Sequence, residues 1–184
     1  HFYSRKGGQP GLKTLTLQPL TETTLRLDQL SEANFSGTAN YGTGWITATR
    51  RIAVTSDIFY TDRGESYAAA TGGDTTIYVP GKLRVDAGSG NWDTSVVNVQ
   101  NLGTTTATVQ VQYIKLDGTV TYSYNDSIAA KGAAAYNTTN QGTLSAETYN
   151  ALVAALGTNW RGTVKVACSN GQPLAGVCYY RVPS

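Results

Sequence analysis

Residues 106–124 read TATVQVQYIKLDGTVTYSY. Ala107, Val109, Val111 and Tyr113 recur at every second position, the period of a strand with one face in a core and the other in water. Asp117-Gly118 supplies the positive φ that a tight hairpin requires. VQVQYI and TVTYSY are therefore expected to be antiparallel neighbours. The same alternation, bounded mostly by Gly, Asn, Asp or Pro, marks TTIYVPGKLRV, TSVVNVQNLG and GTVKVACSNG as strands.

One stretch has a helical period. In TLSAETYNALVAALG, Ser145 is placed to cap, Glu147 suits the first turn, and Leu144 and Tyr149 are spaced as a hydrophobic staple. Tyr149, Leu152, Val153 and Leu156 form an apolar stripe that Gly157 ends. A short helix near 145–156 among strands predicts a crossover that plugs the end of a sandwich.

Composition agrees with an all-β chain. Thr occurs 27 times, Gly 20 and Tyr 12, and charged residues make only 14%, against about a quarter in ordinary soluble domains. Such a surface is solvated by hydroxyls and amides, a habit of secreted structural proteins. The net charge is +2 with the basic residues scattered. The densest cluster, Arg50-Arg51, is no nucleic-acid footprint. No apolar run approaches the roughly 18 residues of a membrane-spanning helix. A sequence without an initiator Met or an apolar leader reads as a mature chain or a fragment.

Two segments repeat one another. GWITATRRIAVTSDIFYTDRG (44–64) and GTVKVACSNGQPLAGVCYYRV (162–182) match at Gly44 and Gly162, at Ala53 and Ala175, and at Phe59-Tyr60 and Tyr179-Tyr180. Upstream, FYSRKGGQPGLKTLTLQPLTETTLRL parallels QYIKLDGTVTYSYNDSIAAKGAAAYNTT. The expected organisation is about one and a half repeats. Residues 1–66 form a sandwich lacking its first strands, 67–73 a linker and 74–184 a complete sandwich. The deficit has three remedies: strands from a neighbouring subunit, pairing between the two copies, or more of a longer repetitive protein. The first makes Phe2, Tyr3, Leu12, Leu15, Leu17, Leu25 and Leu27 an assembly interface, because unpaired edges and bare apolar faces recruit another chain.

Residues 74–184 resemble the immunoglobulin-like β-sandwich repeats of large secreted surface proteins of filamentous bacteria. The carriers are Trp92-Asp93-Thr94, VQNLG at 99–103, Asp117-Gly118, Gly162, Pro173 and Ala175. The resemblance implies an extracellular or cell-surface structural role. It brings no catalytic residue.

Chemistry is sparse. The one histidine is His1, which leaves no Ser/His/Asp triad and no structural zinc set. Glu22 and Glu32 read as solvated carboxylates, and VDAGSGNWDTS as a plain loop in preference to a calcium site. No catalytic residue, metal or cofactor is expected. Cys168 and Cys178, on consecutive strand-like runs, are expected to face each other in a hairpin and form a disulfide; two buried thiols are the alternative. Asn34, Asn125 and Asn137 open N-x-[ST] sequons and are candidate glycan acceptors. The leading expectation is a homopolymeric subunit of a filament, sheath or surface layer joined by strand complementation. The alternative is a secreted carbohydrate-binding or adhesive module that uses the three Trp and the many Tyr, with Trp packing in the sandwich as the competing role for the indoles.

Overall fold

The computed structural model describes residues 1–4, 11–26, 42–59, 64–88, 91–142 and 144–181. The fold is all-β, antiparallel and sandwich-like, with a single helix among the described residues. Its body comprises β5 (Thr76–Gly88), β6 (Asn91–Asn101), β7 (Ala107–Lys115), β8 (Val120–Ile128), β9 (Ala133–Tyr136), α1 (Ala146–Leu156), β10 (Asn159–Cys168) and β11 (Leu174–Arg181).

One layer carries the order β5-β10-β7-β8. The other is built on β6, whose Thr94–Asn101 stretch pairs with β11 along one edge while Val97–Gln100 pair with β9 along the other. The first residues of β6, Asn91–Thr94, pair instead with the end of β5. A single strand thus belongs to both layers and forms the corner between them. Of VDAGSGNWDTS, expected to be a plain loop, residues 85–88 close β5 and residues 91–95 open β6; Asp86 Oδ1 accepts from the Gly88 amide at 2.8 Å there.

The 106–124 hairpin forms as its pattern dictates. Ala107, Val109, Val111 and Tyr113 are buried while Thr108 and Gln110 are exposed. Gly118 takes φ 88°, and Asp117 Oδ1 accepts from the Thr119 amide at 2.9 Å. The helix begins where Ser145 Oγ accepts from the Thr148 amide at 3.1 Å, and closes with the Gly157 amide donating to Val153 O at 3.0 Å. Leu152 and Leu156 enter a core with Val97, Val99, Val164, Val166, Tyr136 and Trp160. Trp160 is 2% exposed; its Nε1 donates to Thr121 Oγ1 at 3.0 Å and Tyr113 meets its ring edge-on at 5.7 Å. Packing, not ligand stacking, occupies this indole. Asn101, fully buried in VQNLG, ties down the turn into β7 by donating to Thr105 O and Ile128 O and accepting from the Gly103 amide.

The N-terminal part is built differently. β1 (Phe2–Ser4) pairs with β2 (Gly42–Gly44), and β3 (Thr55–Phe59) with β4 (Gly64–Ala68). β4 runs two residues into the stretch expected to be a linker. Thr43 Oγ1 donates to Lys131 O at 2.9 Å, and the Lys131 ammonium lies 4.1 Å from the Trp45 ring centroid, which joins this part to the turn before β9.

Candidate functional site

The expected assembly interface is only partly brought together. Leu12 (52% exposed), Leu15 and Leu17 (44% each) and Leu25 (38%) stand out from Gly11–Arg26, a stretch that forms no strand of its own and is bridged to Phe2 at Gly11. Fully exposed Leu20, which the sequence reading passed over, belongs to the same ribbon. Phe2 does not: it is buried, and its backbone pairs with Gly44 on one side and Gly11 on the other. Tyr3 is half-buried, its ring stacked 6.4 Å from that of His1. Leu27 lies outside the described residues.

The expected disulfide is absent, and both cysteines are free thiols. Their strands follow one another in sequence without being neighbours. Cys168 ends β10 opposite Val109 of β7, whereas Cys178 sits in β11 opposite Val97 of β6. β5 and β6 stand between them in the strand order where a hairpin was expected. Among the candidate glycan acceptors, Asn125 is exposed on β8. Asn137 is 8% exposed, and its Oδ1 accepts from the Thr139 amide and hydroxyl, each at 2.9 Å. Asn34 lies outside the described residues.

A lysine, Lys82, is buried in the body at 1% exposure, and the sequence reading missed it. TTIYVPGKLRV reads as strict alternation, with Lys82 on the wet face. Yet Val79 pairs with Val164 and Lys82 with Gly162, so β5 holds one residue more than β10 between those pairs. The extra residue lies at Pro80-Gly81, where Gly81 takes φ 80°. Beyond that bulge the faces exchange: Leu83 and Val85 turn outward, Lys82 and Arg84 inward. A Pro-Gly inside an alternating run was the available signal.

Ser95 holds the bulge, donating to Gly81 O at 2.8 Å and accepting from the Leu83 amide at 2.9 Å. The Lys82 amine donates to Ser95 O. Burial lowers the Lys82 ammonium from its usual 10.5 to about 7, with the neighbouring Cys178 pulling weakly the other way. Arg84 donates from Nε to Gly157 O at 3.0 Å and from Nη1 to Thr138 O, and its guanidinium covers the Trp92 ring at 3.8 Å. These cations hold carbonyls and a ring in place, with Cys178 near Lys82 and Tyr149 and Asp86 near Arg84. Among the described residues no group of three or more His, Cys, Asp or Glu side chains is arranged to hold a metal ion. No described helix is long and apolar enough to cross a membrane.

The class the coordinates define is an antiparallel, sandwich-like β protein with a displayed leucine ribbon. No protein-family model, curated protein or solved structure matches the chain.

Proposed function

We propose that this chain is an extracellular or cell-surface structural subunit, an immunoglobulin-like sandwich that polymerises by lending a strand to the next copy. The observation that carries this reading is the ribbon of Leu12, Leu15, Leu17, Leu20 and Leu25, apolar and water-facing on backbone outside any sheet. β8 and β11, last in the strand order, offer edges for such a ribbon to join. The arrangement of β1 between Gly11 and β2 has the same antiparallel sense as β7 between β8 and β10, in keeping with a repeated unit.

Magnitudes favour pairing over a merely greasy contact. Covering the exposed parts of these leucines contributes on the order of 5 kcal/mol, while association costs roughly 4–15 kcal/mol. Side chains alone do not suffice, so backbone hydrogen bonds along an edge strand must supply the remainder. The low content of formal charge suits a surface that meets copies of itself without repulsion.

Negative-stain microscopy and light scattering of the purified chain test the proposal. The wild type forms extended assemblies, and a Leu15→Ser/Leu17→Ser variant stays monomeric with its β spectrum intact. A wild type that remains monodisperse at every concentration removes the proposal.

A further inference from the structure

The outer face of the β5-β10-β7-β8 layer carries side chains in register across all four strands. Tyr78 pairs with Lys165, Lys165 with Gln112, and Gln112 with Ser123. The adjacent row runs Thr76, Ala167, Gln110, Asn125. Tyr78 is 61% exposed, and Gln110, Ser123 and Asn125 are exposed as well. The Lys165 ammonium lies 5.8 Å from the centroid of the Tyr78 ring. Toward the helix end of β10, Arg161 stands opposite Leu83 on the same outward side. Within the two rows the one formal charge is the cation Lys165, and Arg161 lies off them, four residues away along β10.

From this face we infer a binding site for an extended acidic polysaccharide, one with uronate residues, running across the strands. Three features select that class. Primary amides on Gln110, Gln112 and Asn125 each both donate and accept, as a sugar's vicinal hydroxyls require. The Tyr78 ring presents a π face to the C–H face of a pyranose at one end of the row. Lys165, second in the row, complements a carboxylate of the ligand. Strands lie about 4.8 Å apart, so the row from Tyr78 to Ser123 spans about 14 Å, close to three sugar residues of an extended chain. A nucleic acid would need a far denser basic stripe. The inference does not depend on the leucine ribbon, which lies in a different part of the chain.

The test is retention of the purified chain on immobilised alginate at low salt, with dextran as the neutral control. Wild type is retained by alginate and not by dextran, and elutes as salt rises. Tyr78→Ala and Lys165→Gln each weaken binding about tenfold, Lys165→Arg restores it, and Gln112→Ala weakens it severalfold. All four variants keep the wild-type melting temperature and assembly state, which separates this result from failure of the polymer reading. No retention on alginate, equal retention on dextran, or unchanged binding by both Tyr78→Ala and Lys165→Gln overturns the inference.

Discussion

The Lys82 amine donates to the carbonyl of Ser95, and the lysine that carries it is 1% exposed. One carbonyl does not replace the hydration of an ammonium, so the fold favours the neutral amine. In the unfolded chain the group titrates near 10.5, in the folded chain near 7. Below about pH 7 both states carry the charge and the full burial penalty applies. Between about 7 and 10.5 the unfolded chain binds more protons, so stability rises with pH.

Urea midpoints should therefore climb from pH 7 to pH 10. The shift from 10.5 to about 7 corresponds to roughly 5 kcal/mol. Lys82→Met removes that penalty and leaves the Ser95 carbonyl short of a donor, worth about 1–3 kcal/mol. The expected net is a gain of about 2–4 kcal/mol near pH 7 and a nearly flat profile up to pH 10. A wild-type profile already flat over that range would show that the amine is not held neutral.

Above pH 10 the trend reverses. Burial raises the Tyr113 and Tyr124 hydroxyls well above the usual phenol range. The unfolded chain loses these protons first, so stability present below about pH 10 drains away beyond it. The Tyr113 hydroxyl is buried without a partner in hydrogen-bond geometry. Tyr113→Phe should leave neutral-pH stability unchanged or raise it by up to about 1 kcal/mol, and should soften the alkaline fall. Thermal melts at pH 7 and pH 11 measure both effects.

Gly162 and Gly44 match in sequence and differ in surroundings. A Cβ on Gly162 would stand 2.0 Å from Ile114 O and 2.8 Å from the Trp160 ring, whereas one on Gly44 would meet nothing within 4 Å. Gly162→Ala should cost more than about 3 kcal/mol or prevent folding, while Gly44→Ala stays within about 0.5 kcal/mol. Equal effects in chemical denaturation would contradict the packing around β10.

Both thiols should react with Ellman's reagent once the unreduced protein is denatured, and dithiothreitol should leave the melting temperature unchanged, since Cys168 and Cys178 are unlinked. A melt lowered by reductant would mean that β10 and β11 approach one another after all.

Patterns internal to one element were legible in the sequence. Period-two burial gave the face of β7, Asp117-Gly118 its turn, and Ser145 and Gly157 the ends of the helix. Partnership between elements was not. Alternation says which side of a strand is dry and nothing about which strand lies beside it, so Cys168 and Cys178 seemed to face each other across a hairpin that does not exist. Lys82 escaped for a related reason: a single added residue at Pro80-Gly81 inverts every later position, and the inversion is visible only against β10. Of the residues expected at an assembly interface, Leu12, Leu15, Leu17 and Leu25 are exposed, whereas Phe2 is buried, which no pattern in its own short strand reveals.

Because β6 is stitched to β5 at its beginning and to β9 and β11 farther along, neither layer can be peeled away while the other survives. Tension delivered along β11 reaches β6 at once and is shared by both halves. Such a module should rupture in one step under load.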